Sequence, residues 1–267
     1  MEGKKVPDTW ERGDLYERYV GRWSRQVAPR FLSWLNITAG QRWLDVGCGT
    51  GALSGAILDS CAPAWVAGVE PSEGFLSAAK EYLARRGWLV RGTATEIPLA
   101  EASVDVVVSG LVLNFVADPR LALSEMRRVT VSGGTIGAYV WDYAGKMEFM
   151  RIFWDTATEL DPDAARLNEG SRFPLCNPQA LSNIFTEAGL AEIKVAAIDI
   201  PTVFVSFEEY WQPFLGGQGP APAYTMSLEP AARARLRERL RERIPVEGDG
   251  TIHLTARAWA VRARVSK

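Results

Sequence analysis

The 267-residue sequence predicts an α/β fold in which helices cover both faces of a parallel sheet. Short apolar segments alternate with segments of helical periodicity from about residue 40 to residue 142. One of these segments, 104–108 (VDVVV), is almost entirely apolar, which is typical of a strand buried on both faces. A cluster of glycines lies between the first strand and the helix after it, where a βα turn belongs.

The elements of this region follow in order. Residues 10–36 carry apolar side chains at a helical period, and Pro29 predicts a break or kink near 25–29 and hence two helices. Ser72 and Asp118 stand where helix N-caps belong, and Gly133-Gly134 predicts a turn before the fifth strand. The pattern predicts strands at 42–46, 65–69, 89–91, 104–108 and 135–141, with helices at 50–59, 72–86 and 119–129.

The second half of the chain is less regular. It predicts helices at 147–160, 177–188, 206–216 and 229–244, one or two strands over 191–205, a glycine-proline loop at 216–222 and a final strand at 251–262. The arginines of 233–243 are spaced by two and spread around their helix, whereas Leu236, Leu240 and Ile244 form an apolar stripe. This pattern favours a helix packed along that stripe over a nucleic-acid surface.

Composition excludes several classes of function. The net charge of −2 and the pI near 5.7 give no footprint for nucleic acid or an anionic membrane. We expect no membrane span and no secretory signal, and therefore a cytoplasmic location. One histidine and three cysteines without metal-ligand spacing predict neither a metal site nor a Ser-His-Asp triad.

The glycine cluster carries the strongest functional signal. Gly47, Gly49 and Gly51 form GxGxG without the lysine of a phosphate-binding P-loop and without the GxGxxG of a dinucleotide site. Asp45, two positions before the first glycine, would face a pyrophosphate unfavourably but suits a ligand with an ammonium group. Glu70 ends the second strand about 20 residues later, where an acid accepts ribose hydroxyls. The predicted ligand is a cationic nucleoside without phosphate.

These residues resemble the class I S-adenosylmethionine-dependent methyltransferases, especially the branch of ubiquinone and menaquinone biosynthesis. The resemblance covers residues of about 40–142 and rests on four motifs, at 44–51, 68–72, 92–108 and 127–134. It implies a Rossmann-like, doubly wound sheet of seven mostly parallel strands, with N-terminal helices, a helical insertion before the last strand, and that strand antiparallel beside the fifth. The implied organisation is a single methyltransferase domain over 1–267, with a helical cap (1–38), a cofactor-binding core (40–142) and substrate-side lid segments (143–189 and 206–248).

The resemblance also implies a set of cofactor contacts for S-adenosylmethionine. Asp45 would orient the ammonium group, Glu70 would hold the ribose, and Arg22 would meet the carboxylate. The full set comprises Arg22, Trp23, Asp45, Gly47, Cys48, Gly49, Gly51, Glu70, Pro71, Thr93, Ala94, Thr95 and Leu111, with Tyr19 as a further candidate to close over the cofactor. Thr93 replaces an aspartate common in the family, and Asn114-Phe115 replaces a histidine pair, so histidine-assisted chemistry is absent there.

Methyl transfer from a sulfonium is an in-line displacement in which alignment can supply much of the rate. A base is needed only for a protonated acceptor, and the candidates at strand ends are Asp142, Asn114 and Tyr143. Dense aromatic residues in the second half predict a small apolar or aromatic acceptor. The alternatives are an inert cofactor-binding module or a nicotinamide-dependent oxidoreductase, and we expect a monomer or homodimer.

Overall fold

The computed structural model describes residues 17–83, 87–217 and 219–266. The described residues form two compact units. Unit 1 comprises the described parts of 17–23, 142–174 and 199–257, and unit 2 comprises those of 24–141, 175–198 and 258–266. The glycine loop and the five strands predicted before residue 142 therefore belong to unit 2.

Regular elements cover most of both units. A π-helical turn (Glu17–Gly21) leads into the first helix, and 3₁₀ turns occupy Leu113–Phe115, Pro162–Leu167 and Gln212–Leu215. In chain order the elements are α1 (Arg22–Leu35), β1 (Arg42–Val46), α2 (Ala52–Ser60), β2 (Trp65–Glu70), α3 (Glu73–Leu83), β3 (Trp88–Arg91), β4 (Val104–Gly110), α4 (Pro119–Val129), β5 (Thr130–Trp141), α5 (Glu148–Leu160), α6 (Glu169–Arg172), α7 (Pro178–Glu187), β6 (Leu190–Phe204), α8 (Phe207–Trp211), α9 (Pro220–Ser227), α10 (Pro230–Arg243) and β7 (Ile252–Val265).

The seven strands of the described residues form one sheet in the order β3-β2-β1-β4-β5-β7-β6. The β1–β2, β1–β4, β2–β3 and β4–β5 pairs are parallel. The last strand, β7, is antiparallel to β5, from Thr135 opposite Arg264 to Trp141 opposite Ala258. The predicted fold class, including the position of the last strand, is confirmed. Since β1, β2 and β4 are parallel, the residues that follow them meet at one edge of the sheet.

Strand β5 begins earlier than the sequence predicts. It starts at Thr130 and runs through Gly133-Gly134, and its register against β4 shifts between Val104 and Val106. A Cβ at Gly134 would lie 2.8 Å from the Asp105 carbonyl oxygen, so glycine permits the close approach of the two backbones. The predicted turn before the strand is wrong, because here the glycine pair marks an irregularity within the strand.

The predicted break at Pro29 is also wrong. Helix α1 runs through Pro29 without interruption, and residues 10–16 of the predicted helical segment lie outside the described part of the chain. A proline inside a helix costs about 3 kcal/mol. Burial of Val27, Phe31 and Leu35, each at most 1% exposed, offsets this, since each apolar side chain contributes about 1.5–3 kcal/mol.

Two features of unit 1 follow the sequence in part. Helix α10 buries the predicted stripe of Leu236, Leu240 and Ile244, and its arginines pair with Glu159 and Glu208. The predicted loop at 216–222 is wrong over its last residues, because α9 begins at Pro220, whose fixed φ suits a first helical position. No helix within the described ranges is long and apolar enough to cross a bilayer.

Replacement of Pro29 by alanine tests the account of α1. We expect Pro29→Ala to raise the free energy of unfolding by about 1–2 kcal/mol, because the restored backbone donor outweighs the greater freedom of the unfolded chain. Urea unfolding followed by circular dichroism measures the change. Pro119→Ala is the control, since the first position of α4 needs no donor and little change is expected there. A loss of stability in Pro29→Ala would contradict the account.

Candidate active site

The glycine loop turns at the carboxyl end of β1 in unit 2. The N–H groups of residues 47 and 48 both donate to the Val69 carbonyl oxygen of β2, at 2.7 and 3.1 Å. A Cβ at residue 47 would lie 2.6 Å from Val112 Cγ2, so the loop also abuts the segment after β4. Positive φ angles of 72°, 54° and 87° are adopted by Gly47, Gly49 and Gly51. The loop is therefore held between the ends of β2 and β4.

Glu70 connects the end of β2 to the middle of this loop. Its Oε2 accepts the Gly49 N–H at 3.1 Å, and its Oε1 accepts the Ser72 N–H at 2.9 Å. Burial raises the pKa of Glu70, while the two backbone bonds act in the opposite direction. Each carboxylate oxygen keeps a second lone pair for another donor. A Cβ at Gly49 would meet no atom of the described residues within 4 Å, so the backbone borders open space among them.

Asp45 lies at the base of the loop and is 1% exposed. Its Oδ2 accepts the Ser54 hydroxyl at 2.6 Å, whereas the buried Oδ1 has no hydrogen-bond partner among the described residues. Burial raises the pKa of Asp45 to about 7, the nearby charge of Glu70 adds to the rise, and the bonds from Ser54 oppose it. A buried carboxylate oxygen without a donor is suited to a ligand cation.

Cys48 occupies the space beneath the loop. Its Sγ would lie 2.7 Å from a Cβ at Gly68, which shows how closely the thiol packs on β2. Burial raises the pKa of the Cys48 thiol far above its ordinary value, with smaller contributions from Asp45 and Glu70. The thiol therefore stays protonated and acts as a small apolar filler.

The predicted adenine segment begins beside Glu70. The Gly92 N–H donates to the Glu70 backbone carbonyl at 3.3 Å, and Thr93, Ala94 and Thr95 follow directly. The hydroxyl oxygens of Thr93 and Thr95 are 3.2 Å apart. Pro71, on the other side of Glu70, is exposed. The structure thus brings together the loop, the ribose candidate and the adenine candidates.

Helix α4 fixes the turn that follows this segment. Arg128 donates to the carbonyl oxygens of Ile97 and Leu99, both at 2.9 Å, and Glu125 accepts the Ile97 N–H at 2.9 Å. Arg128 and Glu125 also pair with each other at 2.6 Å. The sequence reasoning missed this anchor, although a charged pair three residues apart on a helix was visible as a signal.

The segment after β4 places Leu111 and Asn114 near the loop's neighbour Val112. Leu111 has a φ of 62°, a left-handed conformation that is strained for a residue with a side chain, and its N–H donates to the Tyr139 carbonyl at 2.8 Å. The Nδ2 of Asn114 is buried and has no hydrogen-bond partner within the described ranges. Such backbone strain is frequent at ligand sites.

The predicted N-terminal contacts lie in unit 1. Arg22 pairs with Glu209 at 2.6 Å, and its guanidinium stands 4.2 Å from the centre of the Trp23 ring. Tyr19 donates its hydroxyl to Met150 Sδ at 2.7 Å. Packing within unit 1 thus accounts for Tyr19, whereas Arg22 and Trp23 keep buried donors without partners among the described residues. Their cofactor role stays a prediction.

Asp142 and Tyr143 also belong to unit 1. The Asp142 carboxylate accepts the N–H groups of Gly145 at 3.1 Å and Lys146 at 3.0 Å, and so organises the turn after β5. A Cβ at Gly145 would lie 2.5 Å from Asp142 Oδ2. Tyr143 is 7% exposed and contacts the Phe173 ring. Each oxygen of the Asp142 carboxylate keeps a second lone pair beyond these bonds.

The aromatic side chains of unit 1 pack on one another in a buried cluster. The rings of Phe153 and Phe214 stack 4.4 Å apart, and those of Tyr210 and Phe214 are 5.3 Å apart. Glu169, which the sequence reasoning missed, is a buried carboxylate in this cluster and accepts the Trp154 indole N–H. No spacing pattern marked it, because its partner lies on a different helix.

Comparison with known proteins agrees with this geometry. Residues 44–137, which include the glycine loop, Glu70 and Asn114, match the family described as methyltransferase domain. The demethylmenaquinone methyltransferase of Geobacillus kaustophilus is 29% identical over 191 residues, which are 65% of this chain and 79% of that protein. Residues 44–137 are therefore a methyltransferase domain, and the predicted enzyme class, an S-adenosylmethionine-dependent methyltransferase, is confirmed.

Solved structures share the fold at low identity. The YcgJ protein from Bacillus subtilis superposes with a TM-score of 0.59 at 16% identity, over 92% of this chain and 99% of that one. A phosphoethanolamine N-methyltransferase of Haemonchus contortus, in complex with phosphomonomethylethanolamine and S-adenosylhomocysteine, gives 0.60 at 16% identity, over 98% of this chain and 60% of that one.

The residues of unit 2 fit the cofactor S-adenosylmethionine on three observations. The unpartnered Asp45 Oδ1 suits an ammonium group, the free lone pairs of Glu70 suit ribose hydroxyls, and the open space beside Gly49 admits a ligand against the backbone.

The raised pKa of Asp45 predicts a pH effect on stability. Because the pKa of Asp45 is raised in the folded state, the protonated side chain stabilises the fold fully below about pH 4. This stabilisation is lost as the pH rises through about 7. Asp45→Asn has no carboxyl group to titrate. As the pH rises from about 5 to about 8, the free energy of unfolding of the variant should therefore increase by about 2–3 kcal/mol relative to that of wild type. Urea unfolding of both ligand-free proteins measures this. A pH-independent difference between them would contradict the assignment.

Proposed function

We propose that this methyltransferase acts on a small apolar or aromatic molecule by in-line transfer that depends mainly on alignment. The observation that carries the proposal is the combination of Asp45, Gly49 and Glu70 at one edge of unit 2. When bound, the cofactor supplies an electrophilic methyl group on a sulfonium. The chain's own residues then have to hold that group, exclude water and receive a proton where the acceptor carries one.

Cofactor binding is assigned to the loop and its neighbours. Gly47, Gly49 and Gly51 let the backbone approach the ligand, Asp45 pairs with its ammonium group, and Glu70 accepts from its ribose. Around them, Cys48, Pro71 and Leu111 border the same site, and Thr93, Ala94 and Thr95 edge the adenine. The hydrogen bond from Gly49 to Glu70 supports this, because it couples the loop conformation to the ribose acceptor.

An aromatic acceptor is supported by two observations. The demethylmenaquinone methyltransferase similar to this chain acts, by its name, on a quinone with an apolar body. Unit 1, which contains most of the segments expected to cover the acceptor, has a cluster of aromatic rings that includes Phe149, Phe153 and Tyr210. Asn114 and Phe115 stand where the family often has histidines, so the acceptor need not be a quinone.

A proton acceptor is required only if the nucleophile arrives as a hydroxyl or amine. Asp142 follows β5 and keeps one lone pair on each oxygen beyond the two turn bonds. Asn114 offers an unpartnered amide that would orient rather than deprotonate an acceptor, and Tyr143 offers a hydroxyl. We rank Asp142 first because it is the one candidate of the three with a carboxylate that can accept a proton.

Calorimetry with S-adenosylhomocysteine tests the cofactor site. Glu70→Gln should weaken binding about 10- to 100-fold, since it loses one or two charge-assisted bonds worth about 1.5–3 kcal/mol each. Glu73→Gln, at an exposed position of α3, should bind like wild type. Wild-type heat with NAD and none with S-adenosylhomocysteine would support an oxidoreductase and reject the proposal.

Transfer of a labelled methyl group tests the role of Asp142. With the reduced form of demethylmenaquinone and a panel of phenols as acceptors, Asp142→Asn should lower turnover at least tenfold and leave S-adenosylhomocysteine affinity unchanged. Asp163→Asn, on an exposed turn of the same unit, is the control. Unchanged turnover would remove Asp142 from the mechanism. Cofactor binding without transfer to any acceptor would favour the inert module.

A further inference from the structure

Four buried polar atoms without a hydrogen-bond partner among the described residues lie on three side chains of unit 1. They are Arg22 Nε and Nη2, Trp23 Nε1 and Thr202 Oγ1. The Arg22 guanidinium lies 4.2 Å from the centre of the Trp23 ring and 4.8 Å from that of Phe204, and the two rings are 5.4 Å apart. Thr202 and Phe204 are two residues apart on β6 and share its buried face. Arg22 and Trp23 thus lie against Phe204, and Thr202 is the neighbour of Phe204 on the same buried face of β6.

The unpartnered edge of Arg22 is the one that binds carboxylates elsewhere in this chain. Arg42 uses Nε and Nη2 to hold Asp105 at 2.9 and 2.7 Å. Arg257 uses the same two atoms for Asp199, at 2.6 and 2.9 Å. Such paired N–H groups match the two oxygens of a carboxylate. In Arg22 this edge is buried but has no acceptor in the part of the chain that the structure describes.

Glu209 fixes the direction of that edge. It binds Arg22 through the other nitrogen, Nη1, at 2.6 Å. Glu209 is itself held by the Val205 N–H at 2.6 Å, and its own N–H donates to the Ser206 hydroxyl at 3.3 Å. Since the guanidinium is also flanked by two rings, its Nε–Nη2 edge is preorganised for a ligand.

The donors of the cluster favour a ligand group that only accepts hydrogen bonds. Guanidinium and indole N–H groups can only donate, and a threonine hydroxyl can donate. A carboxylate offers about four lone-pair positions and only accepts hydrogen bonds. A cation or an amine would leave them unsatisfied. The rings of Trp23 and Phe204 next to the donors favour a ligand whose carboxylate is attached to an aromatic body.

We propose that Arg22, Trp23 and Thr202 form a carboxylate-binding site in unit 1 that holds the carboxylate of an aromatic methyl acceptor. This inference rests on the proposed function and narrows its acceptor to aromatic acids. It assigns a role to Thr202, which no sequence pattern singled out. It also gives the Nε–Nη2 edge of Arg22 to the acceptor, whereas the family resemblance gives Arg22 to the carboxylate of the cofactor.

The test uses benzoate as the probe and the full-length protein saturated with S-adenosylhomocysteine. Calorimetry should detect benzoate binding to wild type. Arg22→Lys keeps the charge but loses the paired edge, and should weaken benzoate binding about 10- to 100-fold. Thr202→Val should weaken it about 3- to 10-fold. Arg30→Lys, on an exposed turn of the same helix, should leave it unchanged.

Thermal unfolding of Thr202→Val separates binding from structure. Valine has the same shape without the buried hydroxyl, so the ligand-free variant should melt about 2 °C higher than wild type while binding benzoate less well. A residue that served only the fold would not show higher stability together with weaker binding. If Arg22→Lys does not fold, Thr202→Val still tests the inference, because this second variant is expected to retain its fold.

Two outcomes would overturn the inference while the proposed function stands. One is S-adenosylhomocysteine binding with no benzoate binding, or with benzoate binding equal in all variants. The other is a loss of S-adenosylhomocysteine affinity in Arg22→Lys and Thr202→Val without a matching loss for 5′-methylthioadenosine, which lacks the amino-acid part. That result assigns the site to the cofactor's own carboxylate. Absence of S-adenosylhomocysteine binding in wild type would instead refute the proposed function.

Discussion

The hydrogen bond from the Gly49 N–H to the Glu70 carboxylate is the contact on which the arrangement of unit 2 depends. It ties the middle of a loop with three left-handed glycines to the end of the neighbouring strand. The same carboxylate accepts the Ser72 N–H and so fixes the start of the next helical segment. Loop, strand end and helix start thereby share one anchor, and a ligand that meets Glu70 meets a geometry already set.

The two units use different physical means. The candidate site of unit 2 consists of backbone groups and two buried acids, Asp45 and Glu70, and burial raises the pKa of both carboxyl groups. Unit 1 relies on side chains, mainly aromatic rings in mutual contact and a guanidinium held by Glu209. A site made of backbone groups fits one ligand shape, whereas a site made of side chains can differ between methyl acceptors.

The sequence predicted most of the sheet because parallel strands buried on both faces leave nearly continuous apolar runs. The sequence-based prediction failed where a glycine or a proline is compatible with two different local structures. Gly133-Gly134 serves a close approach between strands instead of a turn, and Pro29 stays inside a helix because the buried face around it offsets its cost. The first position of α9 is likewise a proline that the pattern assigned to a loop.

The candidate site, too, was predictable from the sequence only in part. Asp45 and Glu70 were predictable, since the spacing from loop to strand end is fixed by the βα unit. The packing of Phe204 against Arg22 and Trp23 was not, because these residues are about 180 positions apart and only tertiary packing brings them together. Arg128 was visible as a charge, but its hold on the carbonyl oxygens of Ile97 and Leu99 depends on where α4 packs.

The packing of Cys48 against Gly68 has a chemical consequence. A thiol that is 6% exposed and kept protonated is a poor nucleophile, so peroxide or a disulfide reagent meets no thiolate at the glycine loop. Cys61, which is only half-buried, is the more accessible sulfur in the same unit. Oxidative damage would therefore reach the protein's surface before it reached the residue that cushions the glycine loop.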